Sequence, residues 1–440
     1  MTADEVRKLV VDKAPVSFQF AIIGICFLIT VIDGFDILSI SFIAPIIARE
    51  WGLSDVELGV IFSSGLAGMT LGALFLSPIG DILGRRVAIL LLLALIGTGM
   101  VLTALAKDFI AIILFRLITG LGIGGIASNV GTTILEFVAP KRKAAALGLV
   151  FVGTPIGAII SGSITLFFIN LWGWQSVLLC GGALTLAMVI AVYFGLPESI
   201  EFLMARRPAK ALARLNAVLR RLRIEPLEVL PQPGNSEQDS KKRILDVFHG
   251  ELLATTIPIG LIHLFYMFGF YAFVNWSAKL VIDMGLSDGV GISIAMLINV
   301  GGIVGALTVG LIAARLGLLK TTSIGFLAVG IGLTSFGFAP ELAWLLSCII
   351  VVTGYFFFGI QVSLYTFVAS CYPASVRTTA IGLAFTIGRL GSILGPYTAG
   401  VMLESGLGRP AVLLALAIPQ VLAAILVSVI ARRNTHLTPA

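Results

Sequence analysis

About a dozen times along its 440 residues, this chain runs apolar for about 20 positions and then breaks at a short charged or Pro/Gly-containing turn. Such a run, wound as a helix, matches the ~30 Å of hydrocarbon in a bilayer. No water is present there to satisfy backbone groups, so a single spanning segment of this length must be helical. The runs predict twelve spans at 18–47, 56–80, 87–106, 108–136, 144–169, 174–195, 252–283, 288–313, 321–339, 341–371, 377–402 and 410–431. With 58% hydrophobic and only 12% charged residues, a water-soluble domain of this size is excluded. The expected fold class is an all-α, multi-pass membrane protein.

The basic residues set the orientation, because short loops on the cytoplasmic side retain Lys and Arg. With both termini inside, the inner segments collect Arg7, Lys8, Lys13, Arg85, Arg86, Lys141, Arg142, Lys143, the Arg206–Arg243 group, Arg315, Lys320, Arg377, Arg432 and Arg433, leaving Arg49, Lys107 and Arg409 for the outer loops. The net charge of +6 therefore reports topology, and nucleic acid is not an expected partner. The first 17 residues are polar and the run that follows is longer than a signal-peptide core, so the first span is expected to be retained. Cys26, Cys180, Cys348 and Cys371 fall singly in different apolar runs and read as small packing residues. His249, His263 and His436 are scattered, which predicts no metal centre, and no phosphate-cradling motif or catalytic triad is present, so neither cofactor nor enzymatic activity is expected.

One long polar stretch, 197–250, divides the spans into 18–196 and 251–431, flanked by tails at 1–17 and 432–440. Its first part, Glu201 to Arg223, carries Leu212, Leu215, Leu219 and Leu222 at helical spacing and predicts an amphipathic helix on the cytoplasmic face. Its second part, from Pro231 to Ser240, has linker composition. A weak repeat relates the halves. Gly84-Arg85-Arg86 after the second span has a degenerate counterpart in Arg315, Gly317 and Lys320 after the eighth, and Pro140 with its basic run and glycines is echoed by Pro373, Arg377, Gly382, Gly388 and Gly391. Two related six-helix halves about a central site are an architecture of secondary transporters.

Within the first span stands Asp33-Gly34-Phe35-Asp36. A carboxylate near mid-bilayer costs at least ~2.5 kcal/mol on insertion scales, so it faces a bundle interior or a wet cavity and marks an ion, proton or substrate path. Asp33-Gly34-Phe35-Asp36 with Phe42-Ile43-Ala44-Pro45, the turn Asp81-Ile-Leu-Gly84-Arg85-Arg86, Arg116 with Gly120, Gly124, Asn129 and Glu136, then Pro197-Glu198-Ser199, and Gly388-Arg389-x-Gly391 together resemble the major facilitator superfamily over essentially the whole chain. Within it they resemble the aromatic acid:proton symporter family. Ser77 and Ile82 depart from the superfamily turn, and Ala278-Lys279 from the segment that usually follows the seventh-helix tryptophan.

What the resemblance implies is import of a small aromatic carboxylate with protons, by a monomer with its termini in the cytoplasm, across the plasma (inner) membrane. Asp33 and Asp36 share a helical face and are the expected proton sites, since two carboxylates in a dry cavity resist double ionisation. Arg116 stays charged in the fourth span and needs one of them as counter-ion. Arg389 is then a surplus guanidinium in the second half, its planar fork suited to a substrate carboxylate. Aromatic residues around it, including Tyr271, Trp276 and Tyr355, could sandwich a planar ring. Asn275 and Lys279 continue the Tyr271 stripe at four-residue steps, and Asn129 and Gln361 offer amides to a hydroxyl or second carboxylate. His263 could join a proton relay. Asp81, Arg85, Glu136 and Arg142 are expected to form the inner charge network that gates conformational change. The competing readings are an efflux antiporter, suggested by Gly153-Thr154-Pro155-Ile156-Gly157, a symporter of non-aromatic organic or sugar acids, and a membrane receptor that binds without transporting.

Overall fold

The apolar runs fold as helices, and α-helix is the only regular secondary structure among the described residues. A computed structural model describes residues 2–222, 224–231, 253–373 and 376–433. In chain order the helices are α1 (Ala3–Lys13), α2 (Val16–Trp51), α3 (Asp55–Phe75), α4 (Ile79–Leu83), α5 (Arg85–Ala104), α6 (Phe109–Phe137), α7 (Pro140–Gly195), α8 (Ile200–Arg206), α9 (Ala211–Arg221), α10 (Leu253–Ile282), α11 (Asp288–Leu316), α12 (Leu318–Phe338), α13 (Ala343–Cys371), α14 (Arg377–Glu404) and α15 (Arg409–Arg433). Ten of them are long and apolar enough to cross a membrane. α7 is 56 residues long, and Gly173, at φ 73° and ψ 176°, interrupts it. That left-handed φ is open to glycine and strained for other residues, so the chain turns there between two predicted spans.

Two local features add to or depart from the expectations. The N-terminal tail is helical: Thr2 and Glu5 form a reciprocal capping box, and Val6, Val10 and Val11 are buried. The amphipathic segment after α7 is two helices instead of one, because Arg207 takes a left-handed conformation just before Pro208, a residue that disfavours helix in its predecessor. Leu215, Leu219 and Leu222 are buried as the periodicity requires. The linker composition read from 231 to 240 lies almost wholly outside the described residues, as does the end of the C-terminal tail.

The packing divides into two compact units. One comprises Met1–Asp36, Ala67–Gly157 and Gln175–Glu237, and the other Ile37–Leu66, Ala158–Trp174 and Gln238–Ala440, within the described residues. In the first, α2 crosses α7 with backbones nearly touching: a Cβ on Gly34 would lie 1.9 Å from the Thr154 carbonyl oxygen, and one on Gly157 would lie 1.8 Å from that of Val31. In the second, α14 meets α10 in the same way, Gly391 against Leu264 and Gly395 against Phe268. Small residues permit such approach, and van der Waals contact then holds helices that gain little from the hydrophobic effect in lipid. The turns repeat as well. Gly84 before α5 has φ 99° and ψ 145°, and Gly317 before α12 has φ 86° and ψ 144°. At this turn the weak sequence repeat is a repeat of backbone geometry.

Candidate functional site

In the first unit, α2 and α6 bring opposite charges together inside the bundle. Arg116 Nη1 donates to Asp36 Oδ1 at 2.9 Å, with side-chain exposures of 5% and 0%. Burial removes water from both ions, and the pair holds only because each offsets the other's desolvation. The Arg116 Nε–H has no acceptor among the described residues, so the guanidinium retains capacity beyond this one bond. Asp33, half-buried, lies three residues earlier on the same face. Between the two aspartates sits Gly34, against which the α7 backbone rests at Thr154. Thr30, three residues before Asp33, donates to the Val150 carbonyl at 2.7 Å and ties the same two helices.

At one end of this unit a second network gathers around Glu136, whose side chain is only 4% exposed. It accepts from Arg85 Nη1 at 2.5 Å, from Ser199 Oγ at 3.1 Å and from the Glu201 N–H at 2.8 Å. The last bond comes from the first turn of α8, where the unsatisfied amides and helix dipole favour a negative charge. Arg85 also reaches Glu201 at 3.6 Å. Of the four residues expected to gate, the structure joins Arg85 and Glu136. Asp81 is exposed and its backbone carbonyl, rather than its carboxylate, accepts from Arg206 at 3.3 Å. Arg142 lies 6.0 Å over the Phe20 ring. Glu198 caps the start of α5: its Oε1 accepts from the Arg86 and Ser199 N–H groups at 3.1 and 2.9 Å. Burial pushes the Glu198 carboxyl above the usual carboxylate range, opposed by those two bonds and by Arg86 and Arg214 nearby.

The second unit holds the remaining predicted contacts. Arg389 is half-buried on α14, next to Gly388, where a Cβ would lie 3.2 Å from His263 of α10. His263 donates from Nδ1 to the Ile259 carbonyl at 3.1 Å and packs edge-on to Phe385 at 5.3 Å. Its bare Nε2 is buried without a partner among the described residues. Trp276 is buried and donates from Nε1 to the Pro396 carbonyl at 2.9 Å. Tyr271 is half-buried, edge-on to Phe270 at 5.2 Å. The Tyr355 hydroxyl pairs with Thr308 Oγ1 at 2.9 Å. Gln361 is exposed on α13. Two predicted polar residues are engaged by the protein in ways the sequence did not show. Asn275 accepts from Ser41 at 2.8 Å and donates to the Tyr271 carbonyl at 2.8 Å. Lys279 Nζ sits between Asp55 at 3.0 Å and Asp283 at 2.6 Å. Asn129, in the first unit, donates to the Gly125 and Ser77 carbonyls at 2.8 and 3.3 Å. Asp283 could have been found from its i,i+4 spacing to Lys279, but Ser41 and Asp55 carry no local signal.

A polytopic helical bundle with a duplicated turn geometry and a buried carboxylate–guanidinium pair is the build of a membrane transporter. The chain belongs to the Major Facilitator Superfamily, whose profile matches residues 26–396. The superfamily consists of transporters, not enzymes. The chain is 30% identical to the gallate transporter of Pseudomonas putida over 98% of this chain and 96% of that protein. It is 28% identical to the 4-hydroxybenzoate transporter PcaK of Pseudomonas aeruginosa, covering 94% and 93% of the two chains. Among solved structures, a D-xylose-proton symporter superposes with TM-score 0.72 at 17% identity, covering 93% of this chain and 97% of that one, a likeness of fold. The two Pseudomonas relatives are thus transporters of aromatic acids, gallate and 4-hydroxybenzoate.

Proposed function

We propose that this protein is a proton-coupled symporter that imports a small aromatic carboxylate across the plasma (inner) membrane by alternating access. In this reading it works as a monomer with twelve spans and both termini in the cytoplasm. Twelve is reached from the ten long apolar helices by dividing α7 at Gly173 and adding α14, which is 28 residues long. The halves 18–196 and 251–431 flank the cytoplasmic segment 197–250.

The observation that carries the reading is the buried Arg116–Asp36 pair beside Asp33. A guanidinium cannot give up its proton under these conditions, so the carboxylates are the groups that load and release one. When Asp36 is protonated the pair loses its Coulomb attraction, and Arg116 must find another acceptor or move. That links proton occupancy to helix position. Arg389 in the second half offers a planar fork suited to a carboxylate, on the helix whose Phe385 packs against His263 of α10 and Tyr365 of α13. The identity of the ring-bearing cargo rests on the relatives, while the charges alone define an anion moved with protons.

Purified protein in proteoliposomes tests this reading. An inside-alkaline pH difference should drive accumulation of labelled hydroxybenzoate or gallate, and collapse of that difference should abolish it. Accumulation that ignores the pH difference, or that is seen only with non-aromatic acids, would overturn it.

A further inference from the structure

Residues 37–66 belong to the first six helices yet pack within the same compact unit as the second six. At the junction lies a set of contacts that neither the proton pair nor the substrate anchor uses. Asp55, the first residue of α3, meets Lys279 near the end of α10 at 3.0 Å, and Lys279 also holds Asp283 at 2.6 Å. Arg49 of α2 pairs with Asp288, the first residue of α11. Glu404, at the end of α14, accepts the Val56 N–H at 2.8 Å and so caps α3. Deeper in, Ser41 donates to Asn275 and Ser63 donates to the Ile393 carbonyl at 2.7 Å. Phe62 meets Trp276 edge-to-face at 5.5 Å. Between these, Gly59 lets α3 approach Pro396, where a Cβ would be 3.0 Å from the carbonyl, and Gly400 lets α14 approach Asp55, where it would be 2.4 Å away.

We propose that these contacts form the outer closure of the transporter, and that Lys279 is its central positioning cation instead of a contact to substrate. The inference rests on the alternating-access reading, in which this end must part for cargo to enter. The geometry suits a latch that opens repeatedly. Asp283 stands four residues from Lys279 on the same chain segment and travels with it, whereas Asp55 belongs to the other half. On opening, Lys279 keeps one carboxylate and Asp55 passes to water, so no cation is stranded. The exposures grade the same way: Lys279 is 14% exposed, Asp55 26% and Asp283 48% at their side chains. The Arg116–Asp36 pair is far more enclosed, at 5% and 0%. The unusual lysine after Trp276 thus has a structural partner in α3.

The test uses full-length protein in which Cys26, Cys180, Cys348 and Cys371 are replaced by serine and Ser63 by cysteine, a position the closure buries. The labelling rate with a membrane-impermeant maleimide is read without substrate or pH difference. Lys279→Ala and Asp55→Asn should each raise that rate several-fold. Lys279→Arg and the exchange Asp55→Lys/Lys279→Asp should return it towards the parent, which a merely destabilised fold would not do. Equal labelling in all variants, or an exchange that labels as fast as the single variants, overturns the latch. If Lys279 instead binds substrate, the single variants will leave substrate-free labelling unchanged and raise the KM for uptake, and no exchange will rescue it. Because labelling needs no transport, it also separates failure of the latch from failure of the symport reading, which the uptake assay of the parent decides alone.

Discussion

Asparagine at position 36 keeps the shape of the side chain and removes its charge, and the consequences can be worked from the 2.9 Å pair it breaks. At that separation and an effective dielectric of about 20, the Coulomb attraction lost is about 6 kcal/mol. Part of this was already offset by desolvation, and removing one partner of a buried pair typically destabilises by about 3–5 kcal/mol, because the other ion is left uncompensated. Arg116 cannot escape by deprotonating. Asp36→Asn should therefore lower thermal stability markedly, and Asp36→Asn/Arg116→Gln should recover much of the loss. Transport separates differently. For one proton carried per monovalent anion, a difference of about one pH unit corresponds to about 1.4 kcal/mol and sustains about a tenfold concentration ratio. Without a titratable group at this position the ratio should fall towards one in both variants, although labelled acid should still exchange across the membrane at equal pH. The assay is accumulation and counterflow in proteoliposomes with melting curves of the same preparations. A single variant that concentrates the acid like the parent refutes the proton role of Asp36, and a double variant no more stable than the single one refutes the account of the pair.

Gly34→Ala should abolish transport and lower the yield of monodisperse protein, since its Cβ would meet the Thr154 carbonyl at 1.9 Å, whereas Gly24→Ala on the same helix, with open space around it, should be silent in size-exclusion chromatography and uptake. Arg389→Gln should raise the KM for the acid by roughly tenfold to a hundredfold, the worth of a charge-assisted bond of about 1.5–3 kcal/mol, with little change in melting temperature. Glu198 has its carboxyl pushed upward by burial, so the native state binds its proton more tightly than the unfolded chain does. Stability contributed by the protonated form is present at low pH and lost as pH rises through the raised value. Relative to Glu198→Gln, the parent should therefore lose melting temperature as pH climbs out of the ordinary glutamate range and then level off. A parallel course for the two proteins would show that burial of Glu198 carries no such penalty.

The helices were legible because a bilayer-length apolar run has few other ways to fold, and the break at Gly173 showed as an interruption between two such runs. Arg116 and an aspartate of α2 could be matched as the acid and base most in need of each other, although which aspartate serves required coordinates. The inner network was half legible: Arg85 and Glu136 meet, but Asp81 stays exposed and Arg142 takes Phe20 as its neighbour, because helical phase decides which of several nearby charges converge. Contacts such as Ser41 with Asn275, 234 residues apart, leave no periodic trace. Lys279 shows this most clearly, since nothing in the sequence around it points to Asp55, whose carboxylate lies 3.0 Å from its ammonium.

The contact of Gly34 with Thr154 has a mechanical corollary. Main chain lies against main chain between the two acidic groups of α2, with no pliable side chain to cushion it. In the proposed cycle, a tilt of the neighbouring rod, which carries Pro155 at the next position, would reach both carboxylates through this point, and a change in their protonation would push back through the same fulcrum.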